Sequence, residues 1–195
     1  WYTTNSPATE LAARIAQYTP GDLNRVFFTT GGSTAVDSAL RFVEFYNNVL
    51  GRPEKKHIIV QIDGYHGSTK LTASTSGRRG SWPNFDISSE RISFISSPNI
   101  LSSSLTEADF LETLVEEFKA KIAEIGPDKV ATFVAEPLLA SGGVVIPPKG
   151  YHARFKAICE EHDIVYISDE VVTAFGRCGE WFASEKVFGV VPDII

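Results

Sequence analysis

The chain has 195 residues, of which 43% are hydrophobic and 22% charged, and its formal net charge is −6. This composition suits a globular protein with one sizeable core. A protein surface that binds nucleic acid needs clustered Lys and Arg, so the net negative charge argues against a nucleic-acid partner. No apolar run is long enough to span a membrane. Cys159 and Cys178 are too few for a secreted disulfide framework, so we expect a cytoplasmic protein.

The hydrophobic pattern predicts helices that alternate with strands. Helical periodicity predicts helices at residues 6–18, 35–51, 106–125 and 151–162. Short apolar runs predict strands at residues 25–29, 57–62, 91–95, 130–135 and 164–168. Residues 74–84, rich in Ser, Gly and Arg, are expected to form a surface loop. Because the strands are almost continuously apolar, we predict an α/β fold with a mostly parallel sheet and helices on both faces.

Four predicted strands are followed by chemically distinctive residues, at 30–33, 65–67, 136–137 and 169–170. In open α/β sheets ligands bind at the carboxyl ends of the strands, so these segments are expected to converge on one site. The first segment joins a strand to a helix, and its glycines, backbone N–H groups and hydroxyls suit a phosphate. The same pattern is also common in ordinary turns.

Asp169 ends an apolar strand, where a partly desolvated carboxylate requires a cation or a hydrogen-bond donor. A nucleotide-bound magnesium ion, a protonated ring nitrogen and a structural ion pair with Arg177 all satisfy that requirement. The nucleotide alternative needs a Gly-rich loop that ends in Lys, and the sequence has no Gly-Lys pair. Tyr65 is a candidate for stacking on a flat ligand, and His66 for a structural hydrogen bond or acid–base work.

Four segments together resemble the class III aminotransferases, the omega-amino-acid branch of the fold-type-I pyridoxal-phosphate enzymes. They are FFTTGGSTAVDSALRF from Phe27, DGYHGST from Asp63, VAEPLLASGGVVIPPKGY from Val134 and ISDEVVTAFGRCGEWFA from Ile167. Their order and spacing cover almost the whole chain. The resemblance is therefore specific for the family and much less specific for the substrate.

The resemblance implies a set of cofactor-binding residues for pyridoxal 5'-phosphate. Gly31, Gly32 and Ser33 are expected to hold the phosphate, and Tyr65 and Val171 to pack on the two faces of the pyridine ring. Asp169 is the expected catalytic residue, which keeps the pyridine nitrogen protonated so that the ring acts as an electron sink. His66 and Glu136 are expected beside them in supporting roles. Arg177 is expected to be structural, and no metal is implied.

Two departures from the family pattern accompany this resemblance. Residues 31–34 read Gly-Gly-Ser-Thr where the family commonly has Ser-Gly-Ser-Glu. The family's catalytic lysine follows a segment like residues 191–195, and we do not assign its role to Lys149, Lys156 or Lys186. Since the chain starts at Trp1 and contains no Met, we expect a fragment of a longer protein. The resemblance implies that residues 1–195 are part of the cofactor-binding large domain. The N-terminal segment, the lysine region and a C-terminal small domain are then absent, and the fragment is inactive without that lysine.

The function implied is transfer of an amino group from an amine or omega-amino acid to a keto acid such as pyruvate, in a homodimer. Trp1 and Tyr2 are candidates for the substrate pocket. A decarboxylase, mutase or racemase of the same fold stays open, because it would use the same cofactor and Asp169. A nucleotide-binding module and a non-catalytic structural fragment are the alternatives from other classes.

Overall fold

The computed structural model describes residues 4–195. Its helices are α1 (Ser6–Ala16), α2 (Gly32–Val49), α3 (Lys70–Thr75), α4 (Glu107–Ile125), α5 (Tyr151–Glu161) and α6 (Ala183–Lys186). Its strands are β1 (His57–Gln61), β2 (Ile92–Ile95), β3 (Val130–Ala135) and β4 (Val165–Ser168). Short 3-10 turns occupy Arg79–Asn84, Ile100–Ser102 and Pro127–Lys129. None of the helices described is long and apolar enough to cross a bilayer.

The four strands form one parallel sheet in the order β2-β1-β3-β4. Helices cover both of its faces. Phe118 of α4 and Phe155 of α5 pack on one face against Phe133, while Val36 and Leu40 of α2 belong to the core on the other face. Every residue of β3 is buried. The predicted α/β fold with helices on both faces is therefore confirmed.

Alternation along the strands explains why they read as continuous apolar runs. In β1, Ile59 belongs to the α4–α5 core, whereas its neighbours Ile58 and Val60 belong to the α2 core. Successive side chains of a strand point to opposite faces, so a doubly covered strand needs apolar residues at every position. Burial of each large apolar side chain contributes roughly 2–3 kcal/mol, which makes this doubly covered sheet the stable centre of the fold.

The predicted strand at residues 25–29 is wrong. The structure gives this segment no regular secondary structure, and Phe27 is 64% exposed. A strand is stabilised by hydrogen bonds to a neighbour, and no described strand pairs with this segment. A composition that favours β-structure does not by itself provide the neighbouring strand that this segment would need.

The predicted surface loop at residues 74–84 is wrong in its first part. Ser74 and Thr75 end α3, and both are buried. Their hydroxyls donate to the carbonyls of Lys70 and Thr72, at 2.8 and 3.0 Å. A hydroxyl that donates to a backbone carbonyl of the preceding helical turn needs no hydrogen bond from water. A segment rich in Ser and Thr can therefore be buried here.

Candidate functional site

The carboxyl ends of the parallel strands bring the predicted site segments to one edge of the sheet. Glu136 follows β3, Asp169 follows β4, and residues 63–67 follow β1. Helix α2 begins at the same edge: a Cβ atom added to Gly32 would lie 3.1 Å from both γ-methyl carbons of Val171. The start of α2 therefore lies close to the residues after β4, and a single ligand can reach both.

Asp169 is buried and held in one orientation. Its Oδ2 lies 2.8 Å from Nδ1 of His66, and its Oδ1 accepts a hydrogen bond from the backbone N–H of Val171 at 3.2 Å. The side chain of His66 is also buried, and its Nε2 has no hydrogen-bond partner within residues 4–195. In the part of the chain that the structure describes, the side chain that contacts the carboxylate of Asp169 is His66 rather than Arg177.

Glu136 ties two strand-end segments together. Its Oε1 accepts from the backbone N–H of Tyr65 at 2.8 Å, and its Oε2 accepts from that of Ala140 at 3.1 Å. Burial raises the pKa of Glu136, and the hydrogen bond from Tyr65 opposes that shift. The carboxyl group therefore fixes the backbone that carries Tyr65 relative to the end of β3.

The start of α2 offers backbone N–H groups at the same edge. Gly31 is the N-cap residue, and no side chain caps the helix there. The hydroxyl of Thr34 donates to the carbonyl of Gly31 at 2.8 Å, while Oγ of Ser33 accepts from the backbone N–H of Ser68 at 3.0 Å. Because the first N–H groups of a helix have no intrahelical acceptor, this end of α2 is suited to an anion.

Tyr65 and Val171, the two residues predicted to pack on a ring, are the open part of the site. Tyr65 is 40% exposed and Val171 is 64% exposed, whereas Glu136 and Asp169 are buried. Exposed side chains of this kind beside buried acids fit a ligand site. A flat ligand there would cover Tyr65 and Val171 and form hydrogen bonds with the buried acids.

The sequence interpretation assigned no role to Glu170, which organises the segment after β4. Its Oε2 accepts from the Thr173 hydroxyl at 2.9 Å and from the Ala183 N–H at 2.7 Å. Its Oε1 accepts from the Ser184 N–H at 2.8 Å and from the Ser184 hydroxyl. Glu170 thereby fastens the segment that carries Val171 to the start of α6. The only signal in the sequence was a second acid directly after Asp169.

The lysines that were excluded as catalytic candidates make other contacts. Lys156 pairs with Asp193 and Glu160, and Lys186 pairs with Glu180. The backbone N–H of Lys149 donates to Glu107. Trp1 and Tyr2, the candidates for a substrate pocket, lie outside the described residues.

Solved structures similar to this chain include transaminases. The omega transaminase from Pseudomonas jessenii in complex with PMP superposes with a TM-score of 0.95 at 36% identity, over 98% of this chain and 43% of that one. A thermostable (S)-enantioselective omega-transaminase from Thermomicrobium roseum gives a TM-score of 0.93 at 33% identity, over 97% of this chain and 43% of that one.

Similar curated proteins point the same way. A probable gamma-aminobutyrate transaminase 2, mitochondrial, of Oryza sativa is 38% identical over all of this chain and 40% of its own length. A vanillin aminotransferase of Capsicum frutescens is 38% identical, over all of this chain and 43% of its own length. The chain thus spans about 40% of the length of these relatives. Since the sequence pattern of the family Aminotransferase class-III matches residues 2–195, the chain belongs to the class III aminotransferases.

Proposed function

We propose that the protein is a pyridoxal-phosphate-dependent transaminase that moves an amino group from an amine or omega-amino acid to a keto acid such as pyruvate. The observation that carries this proposal is the contact between Val171, two residues beyond Asp169, and the start of α2 at Gly32. It brings a helix start that is suited to an anion close to a buried carboxylate, at one edge of the sheet. Membership of the class III aminotransferases supports the same reaction.

The residues present fit pyridoxal 5'-phosphate. The N–H groups at Gly31, Gly32 and Ser33 are without side-chain capping, which suits a phosphate. The carboxylate of Asp169 has spare acceptor capacity, since each oxygen takes one hydrogen bond. When bound, the cofactor supplies an electron sink for the substrate carbon that loses a proton.

Each residue then has a defined task. The negative charge of Asp169 would keep the pyridine nitrogen of a bound cofactor protonated, and His66 orients that carboxylate. Glu136 positions the backbone of Tyr65. Tyr65 and Val171 would pack on the two faces of a bound cofactor ring. Because these tasks concern binding and orientation, the proton transfer itself belongs to a residue beyond this set.

The wider assignments are proposals of the same kind. Residues 1–195 form part of the cofactor-binding large domain, in line with the share of the relatives that the chain spans. A homodimer and a cytoplasmic location stay predictions, and similar proteins include ones named as mitochondrial.

An experiment on the full-length protein tests the proposal. Titration with pyridoxal 5'-phosphate is expected to give saturable binding with a shifted absorption maximum, whereas ATP gives none. Incubation with an amine donor and pyruvate should yield alanine, detected by mass spectrometry. Release of carbon dioxide, or isomerisation of the donor without alanine, would instead assign a decarboxylase, mutase or racemase of the same fold. Saturable binding of ATP without pyridoxal phosphate would overturn the proposal.

A further inference from the structure

Arg78 lies beside the proposed ring-binding residue Tyr65. Its guanidinium carbon is 4.9 Å from the centre of the Tyr65 ring, within the range of a cation–π contact. One guanidinium nitrogen donates to the carbonyl of Ser141 at 2.9 Å. The side chain thus spans the segments that follow β1 and β3, at the edge of the sheet where the site lies. These two contacts orient the guanidinium before any ligand arrives.

The backbone in front of Arg78 is held tightly. The N–H of Gly77 donates to the carbonyl of Gly64 at 2.8 Å, and the carbonyl of Gly77 accepts from Asp63 at 3.1 Å. A Cβ atom at Gly77 would lie 2.2 Å from the carbonyl oxygen of Gln61, so only glycine fits there. Arg78 therefore extends from a backbone that is fastened to the end of β1, and its side chain is exposed to solvent.

The charge of Arg78 is not neutralised by a protein carboxylate. Within residues 4–195, no Asp or Glu oxygen lies within 4.0 Å of its guanidinium nitrogens. The same edge holds two buried acids, Glu136 and Asp169. An anionic substrate that approaches them meets repulsion unless a cation stands nearby. A pre-oriented guanidinium with unused donors is the side chain best suited to a carboxylate.

We propose that Arg78 is the binding site for the substrate carboxylate, the group that distinguishes a keto acid or an omega-amino acid from a simple aldehyde or amine. This proposal rests on the proposed transaminase function. In this role Arg78 binds the substrate carboxylate and takes no part in proton transfer. The contact with Tyr65 places the carboxylate next to the ring-binding residue.

The test compares matched substrates and matched variants of the full-length protein. Pyruvate is compared with acetaldehyde, and succinic semialdehyde with propanal; each second compound lacks only the carboxylate. Arg78→Ala and Arg78→Lys are compared with Arg79→Ala, since Arg79 lies next in sequence and stands over Trp82, 5.9 Å from its ring centre. Inhibition by propionate and the dissociation constant of pyridoxal 5'-phosphate are measured on the same proteins.

Arg78→Ala is expected to raise KM for a carboxylate acceptor and the propionate inhibition constant about tenfold or more. It should leave the aldehyde acceptors, kcat and cofactor affinity unchanged, with Arg78→Lys intermediate and Arg79→Ala like the wild type. Equal losses with both acceptors, or unchanged KM for both carboxylate acceptors, would overturn the assignment. Weaker cofactor binding with no preference among acceptors would show that Arg78 holds the cofactor phosphate instead. A wild-type protein that transfers no amino group would refute the transaminase function itself, a distinguishable result.

Discussion

Two adjacent carboxylates at the end of β4, Asp169 and Glu170, have opposite surroundings. Both are buried. Asp169 contacts the ring of His66 and the nearest backbone N–H, with one hydrogen bond on each oxygen. Glu170 receives two hydrogen bonds on each oxygen, all from the segment that follows it. Consecutive side chains at a strand end point in opposite directions, which lets one serve a ligand and the other the scaffold.

The difference in acceptor capacity explains how the two acids divide their tasks. A carboxylate has about four lone-pair sites. Glu170 has filled its sites with protein donors, so it has nothing left for a ligand. The carboxylate of Asp169 is held in place by two hydrogen bonds and still has lone pairs that can accept a hydrogen bond from a ligand. We therefore expect loss of Asp169 to affect chemistry and loss of Glu170 to affect stability.

The largest expected effect comes from Asp169→Asn in the full-length protein. The amide keeps an oxygen for the N–H of Val171 but loses the negative charge that keeps the ring nitrogen protonated. A loss of about 4 kcal/mol in transition-state stabilisation lowers kcat/KM about a thousandfold. The thermal midpoint should change by less than about 2 °C, because about 1 kcal/mol shifts the midpoint by about 2–4 °C in a chain of about 200 residues and by less in a longer one. Steady-state kinetics measures the loss of activity, and thermal melting followed by circular dichroism measures the stability. A variant that keeps its activity would contradict the role of Asp169.

Glu170→Ala is expected to reverse that pattern. It leaves the buried donors of Thr173, Ala183 and Ser184 without an acceptor, which costs about 3 kcal/mol of unfolding free energy. Urea denaturation measures this cost, and Glu170→Gln should lose about half as much because one oxygen remains. Glu180→Gln is the control, since Glu180 is partly exposed and pairs only with Lys186 within the described residues. Unchanged stability in Glu170→Ala would show that its hydrogen bonds do not hold the segment.

A smaller effect is expected where the segment held by Glu170 meets α2. A methyl group at Gly32 would stand 3.1 Å from Val171, so Gly32→Ala should push the two apart and weaken cofactor binding about tenfold, or about 1.4 kcal/mol. Nothing lies within 4 Å of a Cβ atom at Gly80, which is not one of the proposed phosphate-binding residues, so Gly80→Ala is the control and should bind normally. Absorption titration with pyridoxal 5'-phosphate provides both dissociation constants. Equal affinities in the two variants would mean that this contact does not shape the site.

Much of the fold was predictable from the sequence because its signals are local. Helix α4 is capped at its start by Thr106, whose side chain accepts from the N–H of Asp109, and it ends before Gly126. Such caps and the 3.6-residue periodicity are visible within a few residues. The apolar run of β3 was predicted with the bounds Val130–Ala135 that the structure has. The strand-end positions of Glu136 and Asp169 followed from the same local reading.

Tertiary structure decided the features that depend on distant partners. The segment 25–29 has the composition of a strand but no neighbour among the described strands, and pairing is what makes a strand. The bond between His66 and Asp169 joins residues 103 positions apart, and the contact of Gly32 with Val171 also connects distant segments. The sequence by itself determined where the four long helices lie and which residues carry reactive groups, but it missed the short helices α3 and α6. Only packing of the sheet and its helices determined which of those groups meet, because distance in space is not encoded by separation along the chain.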